Sequence, residues 1–270
     1  TIISSNPEKQ KNIEALGAVA AIGFLEDTDF LTATFTGSDA VYTMVPPANY
    51  FNPNLDLLAH YHTIGHNYTD AIKKSGVKSV VNLSTFGAHL DKGNGILLGA
   101  HNVEQILNEL PSEVAITHMR PTSFYYNLLG YVAMIKQTGF IAANYGADDI
   151  IPWVSPADIA AAVAEEITTL FEGRKVRYVA SQELSGNETA SILGEAIGKP
   201  DLKWVLATDE QTLDGLKSIG MNPKVAAGLV EMYAALHSGL LAEDYNQNKP
   251  VFGKVKLTDY AKEFAAVFNR

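Results

Sequence analysis

Histidines and tyrosines are the side chains here with the most scope for proton or metal chemistry, and the sequence has 7 His and 12 Tyr. Tyr245-x-x-x-Lys249 has the one-turn helical spacing at which an ammonium lowers a phenol's pKa and lets it relay a proton. It lies in a polar stretch, Glu243 to Pro250, far in sequence from the strands described below, and is read as a chance spacing. His60-x-His62-x-x-x-His66 puts His62 and His66 on one helical face, with His60 off it and no glutamate beside them of the zinc-hydrolase kind. No metal site is assigned. The absence of Cys excludes thiolate catalysis, Cys-based metal sites and disulfides. Gly93-x-Gly95 sits in a polar loop with no strand before it, so it is no phosphate cradle.

The rest of the composition narrows the partners. The chain has 270 residues, 47% apolar and 19% charged, enough for a full core. A net charge of −10 argues against a nucleic-acid or membrane-surface binder, because no basic excess exists to displace counterions. Apolar runs fall far short of the ~18 residues of a membrane span. The opening Thr1-Ile2-Ile3-Ser4 lacks a basic start and an apolar h-region, so the expected location is the cytoplasm. The expected partner is a small molecule, met by a monomer or homodimer.

Elements able to position a site follow from the apolar runs. Strands are expected at Ile2-Ile3, Val19–Ile22, Ala40–Val45, Val77–Leu83, Val114–Met119 and Val176–Ala180. Helices are expected at Pro7–Leu16, Thr28–Thr36, Leu55–Lys74, Leu97–Leu110, Phe124–Lys136, from the Val154–Ala160 opening to about Phe171, Asn187–Ile197, Asp209–Ile219 and Lys224–Ser238. Continuous apolar strand cores alternating with helices predict an α/β fold around a parallel sheet. Ligands of such sheets sit at the carboxyl ends of the strands. The loops in question are 4–9, 23–25, 45–50, 83–87 and 121–124. Residues 1–150 are assigned to the sheet domain. Residues 151–270 are assigned to a smaller, mostly helical lobe covering the strand ends, with some segments returning to the sheet.

Five motifs in order carry a resemblance: Ser5-Asn6-Pro7-Glu8-Lys9, Gly37-Ser38-Asp39-Ala40-Val41, Ala71–Lys78, Met119-Arg120-Pro121 with Phe124 and Asn127-Leu128-Leu129, and Trp153–Ala160. Together the order resembles the NmrA-like family, atypical short-chain dehydrogenase/reductases that include the NADPH-dependent quinone oxidoreductase type 2 group. The resemblance implies a Rossmann-like doubly wound sheet. It also implies a first strand with a Gly-rich loop, a unit of roughly 25 residues, which this sequence does not contain. That unit would supply the central strand and the pyrophosphate cradle, and the natural protein is expected to have it.

The resemblance also implies a cofactor site. Ser4, Ser5, Asn6 and Lys9 would face the adenosine ribose; with no acid at the strand tip, NADP(H) is favoured over NAD(H), although Ser5 replaces the family's Arg. Gly23-Phe24-Leu25 stands where relatives show Gly-Asp-Leu, with Phe24 either on the adenine or in the core. Val45, Pro46 and Pro47 would line the ribose side. Ser84, Thr85, Pro121, Thr122, Ser123 and Phe124 would hold the nicotinamide end. Glu104 matches a helical Glu of the family, Ala100 stands at the position of its Lys, and the neighbouring His101 is the candidate proton donor. Tyr125 is the candidate aromatic on the substrate side, or else packs internally. The expected activity is NAD(P)H-dependent reduction of a quinone or another small conjugated carbonyl compound. The alternative is a non-catalytic redox sensor that binds the dinucleotide and regulates a protein partner.

Overall fold

Short β-branched runs bounded by polar turns make the strands, and capped amphipathic segments make the crossovers. The computed structural model describes residues 1–169 and 172–270. In chain order come β1 (Ile2–Ser4), α1 (Gln10–Ala15), β2 (Ala20–Ile22), α2 (Thr28–Phe35), β3 (Val41–Met44), α3 (Leu57–Ser75) and β4 (Ser79–Leu83). They are followed by α4 (Leu98–Asn108), β5 (Ala115–Pro121), β6 (Ser123–Phe124), α5 (Val132–Thr138), β7 (Ile141–Ala143), β8 (Ile150–Val154), α6 (Pro156–Thr168) and β9 (Arg174–Val179). The chain closes with β10 (Gln182–Ser185), α7 (Gly186–Ala196), β11 (Trp204–Leu206), α8 (Asp209–Ser218), α9 (Pro223–His237), α10 (Glu243–Gln247) and α11 (Leu257–Phe268). Among the described residues no single helix is long and apolar enough to cross a membrane.

The central sheet is parallel, in the order β3-β4-β5-β9. Strand β5 is buried along its whole length, having a neighbour on each edge and helices on both faces, which is why its sequence lacks alternation. Val80 and Ile116 point into the cluster with α3 and α4 residues Ile64, Ile72 and Leu107, while Val81 and Met119 point toward Ile159 of α6. This is the period of two that strands require. Asp27 and Asp56 cap α2 and α3, accepting from Phe30 N and Ala59 N. Gly76 ends α3 at φ +78°, a conformation that favours glycine.

The fold is Rossmann-like α/β. Its parallel strands are divided, however: β1 pairs only with β2, and no backbone hydrogen bond among the described residues joins β1 to β3. That division falls where the resemblance places a central strand.

Two expectations change. The helix expected over Phe124–Lys136 begins later, because Ser123 and Phe124 pair in parallel with Trp153 and Val154; a 3-10 stretch (Tyr125–Tyr131) follows before α5. The second half also holds four strands that were not expected, β7, β8, β10 and β11, in the sets β10-β8-β6 and β11-β7. The expected helix end at Phe171 lies outside the described residues.

Candidate functional site at the carboxyl edge

The loops after β4 and β5 lie side by side because their ladder runs past the strand ends. Ser84 N donates to Met119 O (2.8 Å) and Phe86 N to Pro121 O (2.9 Å). Thr122 N reaches Val179 O on β9 (3.1 Å). Ser84, Thr85, Pro121 and Thr122 are thereby gathered at one edge. After β3, Pro46-Pro47 ends the strand; Tyr68 OH donates to Met44 O (2.8 Å), and His60 Nε2 lies 3.4 Å from Pro46 O.

Beneath that edge is a buried polar cluster. Arg120 forks onto Glu104, Nε to Oε1 at 2.9 Å and Nη2 to Oε2 at 2.7 Å. Its Nη1 reaches Tyr178 OH (3.3 Å) and Asp244 Oδ2 (3.0 Å). Tyr178 OH donates to the same Asp244 oxygen at 2.5 Å, and Ser84 Oγ to Glu104 Oε1 at 2.5 Å. Burial alone would lower the Arg120 pKa, but Glu104 outweighs it and the guanidinium stays charged. Sequence reasoning quoted Arg120 and Glu104 only as motif letters and missed Tyr178 and Asp244. The available signal was an arginine near the end of a strand that carries Ala115, Ile116 and Met119, where a buried charge is costly unless paired.

His101 Nδ1 lies 2.9 Å from Ala88 O. The carbonyl must accept, so in the neutral ring Nδ1 carries the hydrogen and Nε2 presents a lone pair. Neutral His101 is therefore an acceptor on its free side, and only its imidazolium form could give a proton there. His89, on the same loop, has both ring nitrogens buried without a partner, and burial lowers its pKa.

Tyr125 is internal. Its ring is 0% exposed, stacked on Trp153 and Tyr260, and its hydroxyl donates to Val255 O (3.2 Å). This follows the packing alternative, since no face is left for a substrate. The neighbouring Tyr126 is open instead, 5.0 Å ring to ring from Phe124. Both line an apolar groove of about 410 Å³ with Tyr42, Leu83, Ile159 and Val163. Tyr245 and Lys249 both bond Glu183, at 2.9 Å each, and burial raises the Tyr245 pKa, so this pair is no proton relay.

At the other end of the carboxyl edge, Ser4 Oγ accepts from Asn6 N (3.2 Å) and Asn6 Oδ1 from Glu8 N (2.9 Å), which shapes the turn after β1. Among the described residues the exposed Ser5 and Lys9 side chains make no hydrogen bond. Gly23 is small for packing: a Cβ there would meet the Phe30 ring at 2.6 Å. Phe24 is 62% exposed, beside a concavity of about 670 Å³ lined also by Glu26, Asp27 and Asp29. An exposed ring among carboxylates suits a base with an amino group and repels phosphate. Leu25 is half-buried and its carbonyl accepts from Asn67 Nδ2 (3.0 Å). The polar groups left open to a dinucleotide are the Ser5 hydroxyl and the Lys9 cation on one side and the Thr85 hydroxyl on the other, while the hydroxyls of Ser84 and Thr122 donate within the protein. The described residues offer no glycine-rich turn for its pyrophosphate.

A parallel Rossmann-like sheet with polar loops gathered at its carboxyl edge is the architecture in which ligands sit at the strand ends. The chain belongs to the NmrA-like family, whose profile matches residues 4–241. Over 264 residues it is 28% identical to an NAD(P)H azoreductase of Xenophilus azovorans, covering 97% of this chain and 87% of the relative. An NADPH-dependent quinone oxidoreductase of Escherichia coli, solved with NADPH, superposes at a TM-score of 0.79 with 20% identity, over 97% of this chain and 88% of that one. A Citrobacter sp. triphenylmethane reductase complexed with NADP(H) gives 0.77 and 19%, over 97% and 89%. The two structural likenesses speak to the fold.

Proposed function

We propose that this chain is an NAD(P)H-dependent reductase of a quinone or another small, planar conjugated compound, and that it favours NADP(H). The observation that carries the reading is the ladder that sets Ser84-Thr85 beside Pro121-Thr122 at the carboxyl edge, followed by the half-buried ring of Phe124 and the exposed ring of Tyr126. The reduced nicotinamide, when bound, supplies the hydride. Thr85 orients that end by a hydrogen bond, and Phe124 and Tyr126 offer a flat apolar wall to a planar acceptor. Val45, Pro46, Pro47 and Ser123 border the same edge. The Ser5 hydroxyl and the Lys9 ammonium hold a phosphate-bearing ribose, and Phe24 packs on its base.

No phenol–ammonium relay stands at this edge among the described residues. Acceptors that take a proton readily from water after hydride arrival, such as quinones and azo compounds, therefore suit it better than simple ketones. The azoreductase relative supports the same class. The test is loss of reduced-nicotinamide absorbance with a panel of naphthoquinones, azo dyes and simple ketones. Turnover with the first two groups and none with ketones is expected. Saturable NADPH binding with no turnover on any of them would overturn the reading in favour of a dinucleotide sensor.

A further inference from the structure

Glu104 is 2% exposed and receives the Arg120 fork on both oxygens. A carboxylate held in this way only accepts hydrogen bonds. Ser84 Oγ lies 2.5 Å from Glu104 Oε1, so the one hydroxyl proton of Ser84 is committed to Glu104. Ser84 is itself 8% exposed, and with its proton committed only lone pairs remain for it to offer a ligand.

We propose that Ser84 is a hydrogen-bond acceptor in the site, reading an O–H or N–H on the bound ligand, and that Glu104 and Arg120 are the positioning residues that impose this polarity. The proposal rests on the reading of the carboxyl edge as the ligand site. Donating instead to a substrate carbonyl would turn the Ser84 proton away from a buried carboxylate and leave a lone pair unfilled, which is costly in a buried site. Ser84 therefore favours ligands with a donor at this point: a ribose hydroxyl or carboxamide of the dinucleotide, or the O–H or N–H that a carbonyl or azo compound gains on reduction. It disfavours the unreduced carbonyl. Arg120 is also bonded to Asp244 (3.0 Å), so its charge keeps a partner if Glu104 is neutralised.

Two measurements test this. In proton NMR the intact protein should show a slowly exchanging hydroxyl resonance, as a buried, hydrogen-bonded hydroxyl gives. It should vanish in Ser84→Ala and move upfield in Glu104→Gln; its absence from the intact protein overturns the assignment. In equilibrium titrations, Ser84→Ala should weaken NADPH or naphthol about tenfold, leave the methyl ether of naphthol unaffected, and be rescued by Ser84→Thr. A loss confined to NADPH places the donor on the dinucleotide, and one confined to naphthol places it on the substrate. Unchanged affinity for both, or an equal loss for the methyl ether, overturns the proposal. Ser84-dependent binding without turnover of any quinone or azo dye would sink the reductase reading and leave the acceptor assignment standing.

Discussion

His118 ties stability to pH through its burial between strand and helix. Asn82 Nδ2 donates to its Nδ1 (3.2 Å), so in this network Nε2 carries the hydrogen and donates to Asn108 Oδ1 (3.2 Å). Burial lowers its pKa from the ordinary 6.5, and it lowers that of His89 as well. The unfolded chain then takes up protons that the native one refuses, so this contribution is present above about pH 6.5 and is lost as pH falls. Urea midpoints should drop between pH 7 and 5, with a smaller drop in His118→Gln; an equal drop would exonerate His118. Glu166 acts in a lower window. Burial opposes its charge, but Lys175 and Arg177 outweigh that and hold its carboxyl below the ordinary 4.5, so its contribution is lost only as pH falls through that range. The proposed role of Lys9 is to hold the ribose phosphate. Lys9→Ala should raise the NADPH Kd about fivefold, the worth of one exposed charge contact, and leave the NADH Kd unchanged.

Among the elements, the N-terminus of α9 is tied to the loop after β3 by one side chain. Asn222 Nδ2 donates to the carbonyls of Asn52, Pro53 and Leu55, while its Oδ1 caps α9 by accepting from Lys224 N and Val225 N. It is 3% exposed, so water cannot replace it. Asn222→Ala leaves these groups unpaired and should cost about 2–4 kcal/mol in urea unfolding. An unchanged midpoint would mean that the loop after β3 does not depend on α9. The Asp244 carboxylate holds α10 in the same way, by accepting from Arg120 and Tyr178. Asp244→Asn should lower the melting temperature and change the fluorescence of bound NADPH if α10 covers the strand ends.

For the molecule as a whole, the decisive contact is backbone on backbone. Gly95 lies against α9 so closely that a Cβ would stand 1.9 Å from Gly228 O, and its φ is +57°. Gly95→Ala must move α9 away and strain the turn, at a cost of about 3 kcal/mol, or roughly 6–12 °C in Tm for a chain of this size. Because β9 from the second half pairs with β5, and β8 with β6, a single calorimetric transition is expected. Two resolved transitions would show that the lobe unfolds by itself.

The α/β class was legible in the sequence because short strands rich in Val, Ile and Leu alternate with helical segments, two of which, α2 and α3, announce themselves with the caps Asp27 and Asp56. The carboxyl-edge loops could likewise be located, because in a parallel sheet strand order along the chain determines which turns face the ligand edge. The short strands β7, β8, β10 and β11 were not legible, since runs of three to five residues hold too few periods to separate strand from helix. Nor was the choice between Tyr125 and Tyr126: adjacent tyrosines are equal in sequence, and only packing against Trp153 and Tyr260 sends one inward and leaves the other at the groove. The Arg120–Glu104–Ser84 cluster with Asp244 includes a bond between residues 124 positions apart, Arg120 and Asp244, so its existence depended on the chain closing on itself. Hydrogen-bond partners at that separation are chosen by three-dimensional proximity, of which local pattern carries no record.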